Sequence, residues 1–122
     1  MIEVKHDPEM QLTTFICSGT PTPEEVEAQL VDFYKDTPSL FTIWDYTNCD
    51  LSELTAGKIR ELAGVLKKTS HSREGGRSAL VFSMAQLMVI NDRLPSLAEL
   101  EIEKASIKIF SEMEKALAWI AG

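Results

Sequence analysis

The stretch from Asn48 to Leu62, NCDLSELTAGKIREL, gathers most of the side chains in this chain whose types and spacing suit chemistry. Asp50, Ser52 and Thr55 run into an apolar-periodic helix with Ala56-Gly57 in its first turn. Hydroxyls and a carboxylate at such a place have three uses. They cap the unpaired N–H groups of the first turn, they accept a regulatory phosphate that the helix start stabilises, or they line a turn that holds an anion. Asp50 or Ser52 would cap a helix that begins early, and Thr55 one that begins late. From the residues alone, a capping role and a regulatory or ligand role both stand.

Other reactive types are scattered. Cys49 and His71 would form a thiol–imidazole pair only within hydrogen-bond reach. The helix expected between them would hold them roughly 25 Å apart at 1.5 Å per residue, which removes the dyad. Asp45 suits a general base or the capping of its own loop, and the second is expected. His6 falls near the end of an edge strand, at the surface. Gly75-Gly76 lacks the lysine and the following helix of a phosphate loop. No metal, nucleotide or catalytic-triad signature is found, so no cofactor and no catalytic residue is expected.

The elements that must position these groups follow from periodicity. IEVKH (2–6) and QLTTFICS (11–18) alternate apolar and polar across a DPEM turn, which predicts a hairpin at a sheet edge. Thr22-Pro23-Glu24-Glu25 opens a helix with a capping threonine, proline at the first position and acids in the first turn. LFTIWDY (40–46) is a central strand. Ile59, Leu62, Ala63 and Leu66 make one helical stripe. HSREGGR (71–77) is a loop, and SALVFS (78–83) reads as a strand covered on both faces. Met84 to Leu94 is helical, with Pro95 a kink or a new turn. ASIKIF (105–110) is a strand, followed by a helix carrying Met113, Ala116, Leu117 and Ile120. The order β-β-α-β-α-β-α-β-α predicts one α/β domain over residues 1–122.

The third predicted helix is unusually apolar. Met84, Leu87, Met88, Val89, Ile90, Leu94 and Leu97 crowd one short span, wider than a single stripe. Either all of it faces the core, or part of it forms a homodimer seam or a lipid-like ligand pocket. Trp44 and Tyr46 on the central strand are candidates for the pocket floor, with Asp92 and Arg93 as a polar rim.

Composition bounds the rest. A chain of 122 residues with 44% hydrophobic and 25% charged residues is an ordinary globular domain. The N-terminus lacks a signal-peptide pattern, and no apolar run approaches the roughly 20 residues of a membrane helix. Two cysteines, Cys17 and Cys49, make neither a disulfide scaffold nor a metal motif. They are read as buried, reduced thiols of a cytoplasmic protein. A net charge of −7 argues against nucleic acid. Residues 58–93 nevertheless hold seven basic residues against three acidic, net +4, leaving −11 for the rest of the chain. Such a split suits an anionic partner or merely solvated helix faces.

Three segments together resemble the SpoIIAA-like family of the STAS superfamily: TIWDYTNCDLSELTAGKIREL, RSALVFSMAQLMVINDRL and IKIFSEMEKALAWIAG. In the tail the likeness rests on Ile107, Ile109 and Phe110, then Glu114, Ala116, Leu117, Trp119 and Ile120. The resemblance implies a five-stranded, mostly parallel sheet with an N-terminal edge hairpin and four helices. In anti-sigma-factor antagonists of that superfamily a partner kinase phosphorylates a serine just before a helix-opening glycine. Here the glycine is Gly57, and Ala56 stands at the serine position, where no phosphate can be attached. Thr55 and Ser52 are the neighbouring hydroxyls. The family is also similar to the lipid-binding CRAL-TRIO domain. It therefore implies a non-catalytic binding or regulatory module for a protein partner or an apolar, lipid-like ligand, with a partner switch as the alternative and an enzyme behind both. The expected core is Phe15, Leu30, Phe33, Ile43, Leu62, Leu66, Leu80, Val81, Phe82, Ile107, Ile109 and Leu117.

Overall fold

The computed structural model describes residues 1–35, 39–55, 57–58, 61, 76–89 and 105–122, with the backbone alone at 105–107. Asp7 begins the first turn by accepting the backbone N–H of Glu9 (3.1 Å) and Met10 (3.3 Å) at Oδ1. Gln11 closes it in the left-handed region (φ 53°), a conformation common in longer hairpin loops. The two alternating segments therefore pair as predicted. Strand β1 (Ile2–Asp7) runs antiparallel to β2 (Leu12–Gly19) at one edge of the sheet. Next to β2 come β3 (Phe41–Cys49), β4 (Gly76–Val81) and β5 (Ala105–Phe110), each parallel to its neighbour. The sheet is thus mixed, five-stranded, and ordered as the chain runs.

Three helices are described: α1 (Pro23–Lys35), α2 (Met84–Val89) and α3 (Met113–Ala121). Four were expected. The second expected helix falls mostly outside the described residues, which show helical backbone at Gly57, Lys58 and Glu61. Helix α2 is the start of the third. At α1 the capping motif is formed: the Glu25 N–H donates to Thr22 Oγ1 (3.2 Å), and that hydroxyl donates to Glu25 Oε1 (3.3 Å).

Two boundaries differ from expectation. Gly76 and Arg77, expected in a loop, both belong to β4, where Gly76 pairs with Ala105 and Arg77 stands between Phe41 and Ser106. Strand β3 runs on to Cys49 because its pairing with β2 resumes after a bulge. Ile16 stands opposite Asp45 and Ser18 opposite Asn48, so β3 carries one residue more than β2 between them. Asp45 stabilises the bulge, its Oδ1 accepting both the backbone N–H (3.0 Å) and the hydroxyl (2.6 Å) of Thr47. That is the local role expected for it. An extra residue inverts the alternation of faces. Cys49, in place of Asn48, consequently packs with Tyr46, while Asn48 is exposed.

The core lies on both faces of the sheet. On the first, Phe15, Trp44, Tyr46, Leu80 and Phe82 meet Val26 and Leu30 of α1 together with Leu51 and Leu54. On the second, Leu12, Ile43, Ala79 and Val81 meet Ala116 and Ile120 of α3. Residues 79–82 are buried throughout, as a strand covered on both sides requires. Of the expected core, Phe15, Leu30, Ile43, Leu80, Val81 and Phe82 are buried, and Phe33 and Ile109 are partly so. Leu117 is not core. Ala116 and Ile120 take the face of α3 that meets the sheet, and Leu117 is turned to one side, 37% exposed. Leu62, Leu66 and the side chain of Ile107 lie outside the described residues.

A row of hydroxyls crosses the first face in register. Thr13 stands opposite Thr42, and Thr42 opposite Ser78. Thr42 donates to Ser78 Oγ (2.7 Å), while Thr13 shares a hydrogen bond with Ser39 (2.6 Å) and meets His6 Nδ1 (3.1 Å). A one-residue slip would move these hydroxyls to the other face and unpair them, so the row helps to fix register.

Candidate interaction surface at the ends of β3 and β4

The loop after β3 is held from below by apolar contacts and from above by its own polar groups. Leu51 and Leu54 are buried in the first-face core, with the Leu54 N–H donating to Leu51 O (3.0 Å). Asp50 Oδ1 accepts the Ser52 N–H (2.8 Å) and sets a turn. The backbone N–H of Ser52, and then its side chain, hold the Asp50 carboxyl below its ordinary range. Thr55 Oγ1 accepts the Lys58 N–H (3.4 Å), so it caps the helical backbone at Gly57 and Lys58. Asp50 shapes the turn and Thr55 caps. The hydroxyl-bearing residues Ser52 and Thr55 are exposed, and Ala56 lies outside the described residues.

Gly57 does not use the freedom of glycine. Its φ lies outside the left-handed region, and a Cβ there would meet nothing within 4 Å. Gly57→Ala should therefore stabilise the protein by about 0.4–1 kcal/mol through the unfolded chain, read as a raised urea midpoint. Destabilisation would mean that the position serves a local conformation or a close approach.

Beside this loop, α2 begins with a reciprocal cap that the sequence reading missed. The Gln86 N–H donates to Ser83 Oγ (3.1 Å), and Gln86 Oε1 accepts the Ser83 N–H (2.7 Å). The same amide reaches across to β3, where Nε2 donates to the carbonyls of Tyr46 (2.6 Å) and Cys49 (2.9 Å). One side chain thus clasps the first turn of α2 to the bulged end of β3. Its signal was present as Ser83-Met84-Ala85-Gln86, an S-x-x-Q capping box. The long reach to β3 had no sequence signal.

Under α2 the core is a stack of rings. Phe15 and Trp44 lie face to face with centroids 4.0 Å apart, Trp44 and Tyr46 at 6.1 Å, and Tyr46 and Phe82 at 5.1 Å. Phe33 packs nearly perpendicular to Phe15, with centroids 5.7 Å apart. Leu87 packs on this cluster, so the structure brings together three of the predicted site residues, Trp44, Tyr46 and Leu87. Trp44 and Tyr46 are buried rings. The outer side of α2 differs: Met84 is 65% exposed, Met88 81% and Val89 70%. Ile90, Asp92 and Arg93 lie outside the described residues.

The thiols are both free. Burial pushes Cys17 up to about 12 and Cys49 up to about 11, with Cys49 and Asp45 respectively adding to the effect. Cys49 donates its S–H to Tyr46 O (3.1 Å). Burial also raises the phenol of Tyr46, and Cys17 and Cys49 add to that. Reaction requires thiolate, so both cysteines should resist iodoacetamide at pH 8 in the native protein and react on unfolding. The folded state keeps protons that the unfolded thiols lose above about 9. Stability from this source is therefore intact below that pH and falls as pH climbs toward 11. Rapid native-state alkylation at both sites would contradict the burial.

The crystal structure of an uncharacterized protein of the DUF3478 family from Shewanella loihica PV-4, described as having a SpoIIAA-like fold, superposes with a TM-score of 0.59 at 20% sequence identity. The match covers 98% of this chain and 92% of that one. The fold is SpoIIAA-like. No protein-family model and no curated protein matches the chain. In this SpoIIAA-like fold, the loop that opens at Asp50 follows the carboxyl end of β3 and α2 follows that of β4, and Gln86 ties the start of α2 to the last residues of β3. Ligands of open α/β sheets gather at such an edge. Among the described residues no cluster of His, Cys, Asp and Glu could hold a metal, and no helix is long and apolar enough to cross a membrane.

Proposed function

We propose that this SpoIIAA-like domain is a non-catalytic interaction module that associates with a second copy of itself through the outer face of α2. The observation that carries the reading is the exposure of Met84, Met88 and Val89 on one six-residue helix whose fourth residue, Leu87, is anchored in the core. Large apolar side chains grouped at a surface mark interaction sites more often than isolated ones do, and methionine adapts to apolar partners. A two-fold interface is the commonest way to cover such a patch. The stacked rings beneath α2 favour a protein surface over a lipid-like ligand, because Trp44 and Tyr46 are already packed against aromatic neighbours.

Met88→Glu tests this. Sedimentation velocity should show a dimer for the unaltered protein and a monomer for the variant, with unchanged circular dichroism. A variant that unfolds would return Met88 to the core and end the proposal. A second reading, a phosphorylation switch, draws on the exposure of Ser52 and Thr55 in the loop after β3. Stoichiometric phosphate at either residue, found by intact mass after incubation with a cognate kinase, would favour it.

A further inference from the structure

Strand β1 is an outer strand of the sheet, with β2 on one side and no strand on the other among the described residues. The pairing with β2 decides which way its backbone groups point. Met1 and Ser18 exchange both hydrogen bonds, Met1 N donating to Ser18 O (3.0 Å) and Ser18 N to Met1 O (2.9 Å). In an antiparallel ladder such pairs alternate with pairs that exchange none. The register runs unbroken from Ile2 opposite Cys17 to Asp7 opposite Leu12. Glu3, Lys5 and Asp7 therefore bond to β2, while Ile2, Val4 and His6 turn their N–H and C=O groups outward. Such an edge is a template for a further strand.

The side chains of β1 select the strand that fits. Ile2 and Val4 are half-buried on the first face, where His6 meets Thr13, and Glu3, Lys5 and Asp7 are exposed on the second. A second copy of β1, related by a two-fold axis through Val4, sets Val4 opposite Val4, Ile2 opposite His6 and Glu3 opposite Lys5. The first two kinds of pair join outward-turned residues, so each exchanges two backbone hydrogen bonds. Glu3 and Lys5 then fall at the pairs without backbone bonds, where side chains stand closest. Neighbouring registers fail. A slip of two residues sets Glu3 against Glu3 one way, and Lys5 against Lys5 with Glu3 against Asp7 the other, and like charges directly opposite destabilise a pair. A slip of one residue sets outward-turned groups against those already bonded to β2.

We propose that β1 pairs antiparallel with β1 of a second copy in this register, continuing one sheet across the two-fold axis. The contact is small, and its hydrogen bonds replace bonds to water, so it forms in concentrated protein. It uses none of the residues of the α2 face and holds or fails without it.

Two-dimensional 15N NMR of the full chain, from about 50 µM to about 1 mM, reads the two surfaces separately. The amides of Ile2, Val4 and His6 should shift as the concentration rises. Glu3→Lys and Lys5→Glu should each remove those shifts, because each variant sets like charges opposite one another twice. The double variant Glu3→Lys/Lys5→Glu should restore them. An equimolar mixture of the two single variants should do the same, since opposite charges then face each other at both pairs. Met88→Glu should leave the β1 shifts unchanged. The proposal is overturned by β1 amides that do not move with concentration, including the case in which only the amides of α2 move. It is equally overturned by single variants that associate as the unaltered chain does, or by a double variant and a mixture that both stay monomeric.

Discussion

Truncating Phe15 to alanine is expected to cost about 3–5 kcal/mol, the largest effect of any single change considered. Its ring is fully buried, stacks on Trp44 at 4.0 Å, and packs nearly perpendicular to Phe33 at 5.7 Å. Removing it deletes apolar contact and leaves a cavity between β2, β3 and α1 that rings fixed by their own neighbours cannot close. A domain of this size holds about 5–15 kcal/mol in all, so the loss would take a large share and lower the urea midpoint accordingly. Trp44 fluorescence is a direct reporter, because that ring loses its stacking partner. A loss below about 1 kcal/mol would show that the stack is not the centre of the core.

Gln86→Ala is expected to cost about 2–3 kcal/mol. Ser83 Oγ still caps the backbone N–H of residue 86, but the variant loses the acceptor for the Ser83 N–H and the donors to the Tyr46 and Cys49 carbonyls, which then need other partners at about 1–3 kcal/mol for each left unpaired. Gln86→Glu should be worse at neutral pH, because a carboxylate would face two carbonyl oxygens now 2.6 and 2.9 Å from the amide nitrogen. Its folded-state pKa would be raised above the ordinary glutamate value of about 4.3. The neutral carboxyl can donate its one O–H to one of the two carbonyls. Stability would then be greatest below the unfolded pKa and lost as pH rises through the folded one. Urea unfolding at pH 4 and pH 7 checks the sign: the deficit of the Glu variant should shrink at the lower pH. Equal deficits at both values would mean that the side chain leaves the carbonyls and turns to solvent.

What was legible in the sequence was local. Thr22-Pro23-Glu24-Glu25 carries its capping chemistry within four residues and starts α1 as read. The unbroken apolar run around Leu80 and Val81 gave a strand buried on both faces, since burial on both sides leaves no room for alternation. Asp45 was read correctly as a local cap. The bulge it stabilises was hidden, because it exists only in the register of β3 against β2. The exposure of Leu117 was hidden for a similar reason: helical spacing admits it to the apolar stripe, and only docking on the sheet selects Ala116 and Ile120 instead.

At the candidate surface the reading divides along the same line. The surplus of apolar residues on α2 was plain in composition, and the outward position of Met84 and Met88 agrees with it. Trp44 and Tyr46 are candidates for a pocket floor by sequence, and in the structure they stand at the centre of the ring stack, where Phe15 arrives from β2 and Phe82 from just after β4. Gln86 went unnoticed since a glutamine in a helix is commonplace, and its two contacts to β3 are separated from it by 40 and 37 residues.

The mass of the intact particle tests the self-association proposal most directly. Native mass spectrometry of freshly purified protein, across a dilution series, should show a dimer of the 13.6 kDa chain with no additional lipid-sized mass, dissociating on dilution and absent in Met88→Glu. A monomer at every concentration, or a monomer carrying a lipid-sized adduct, would contradict it.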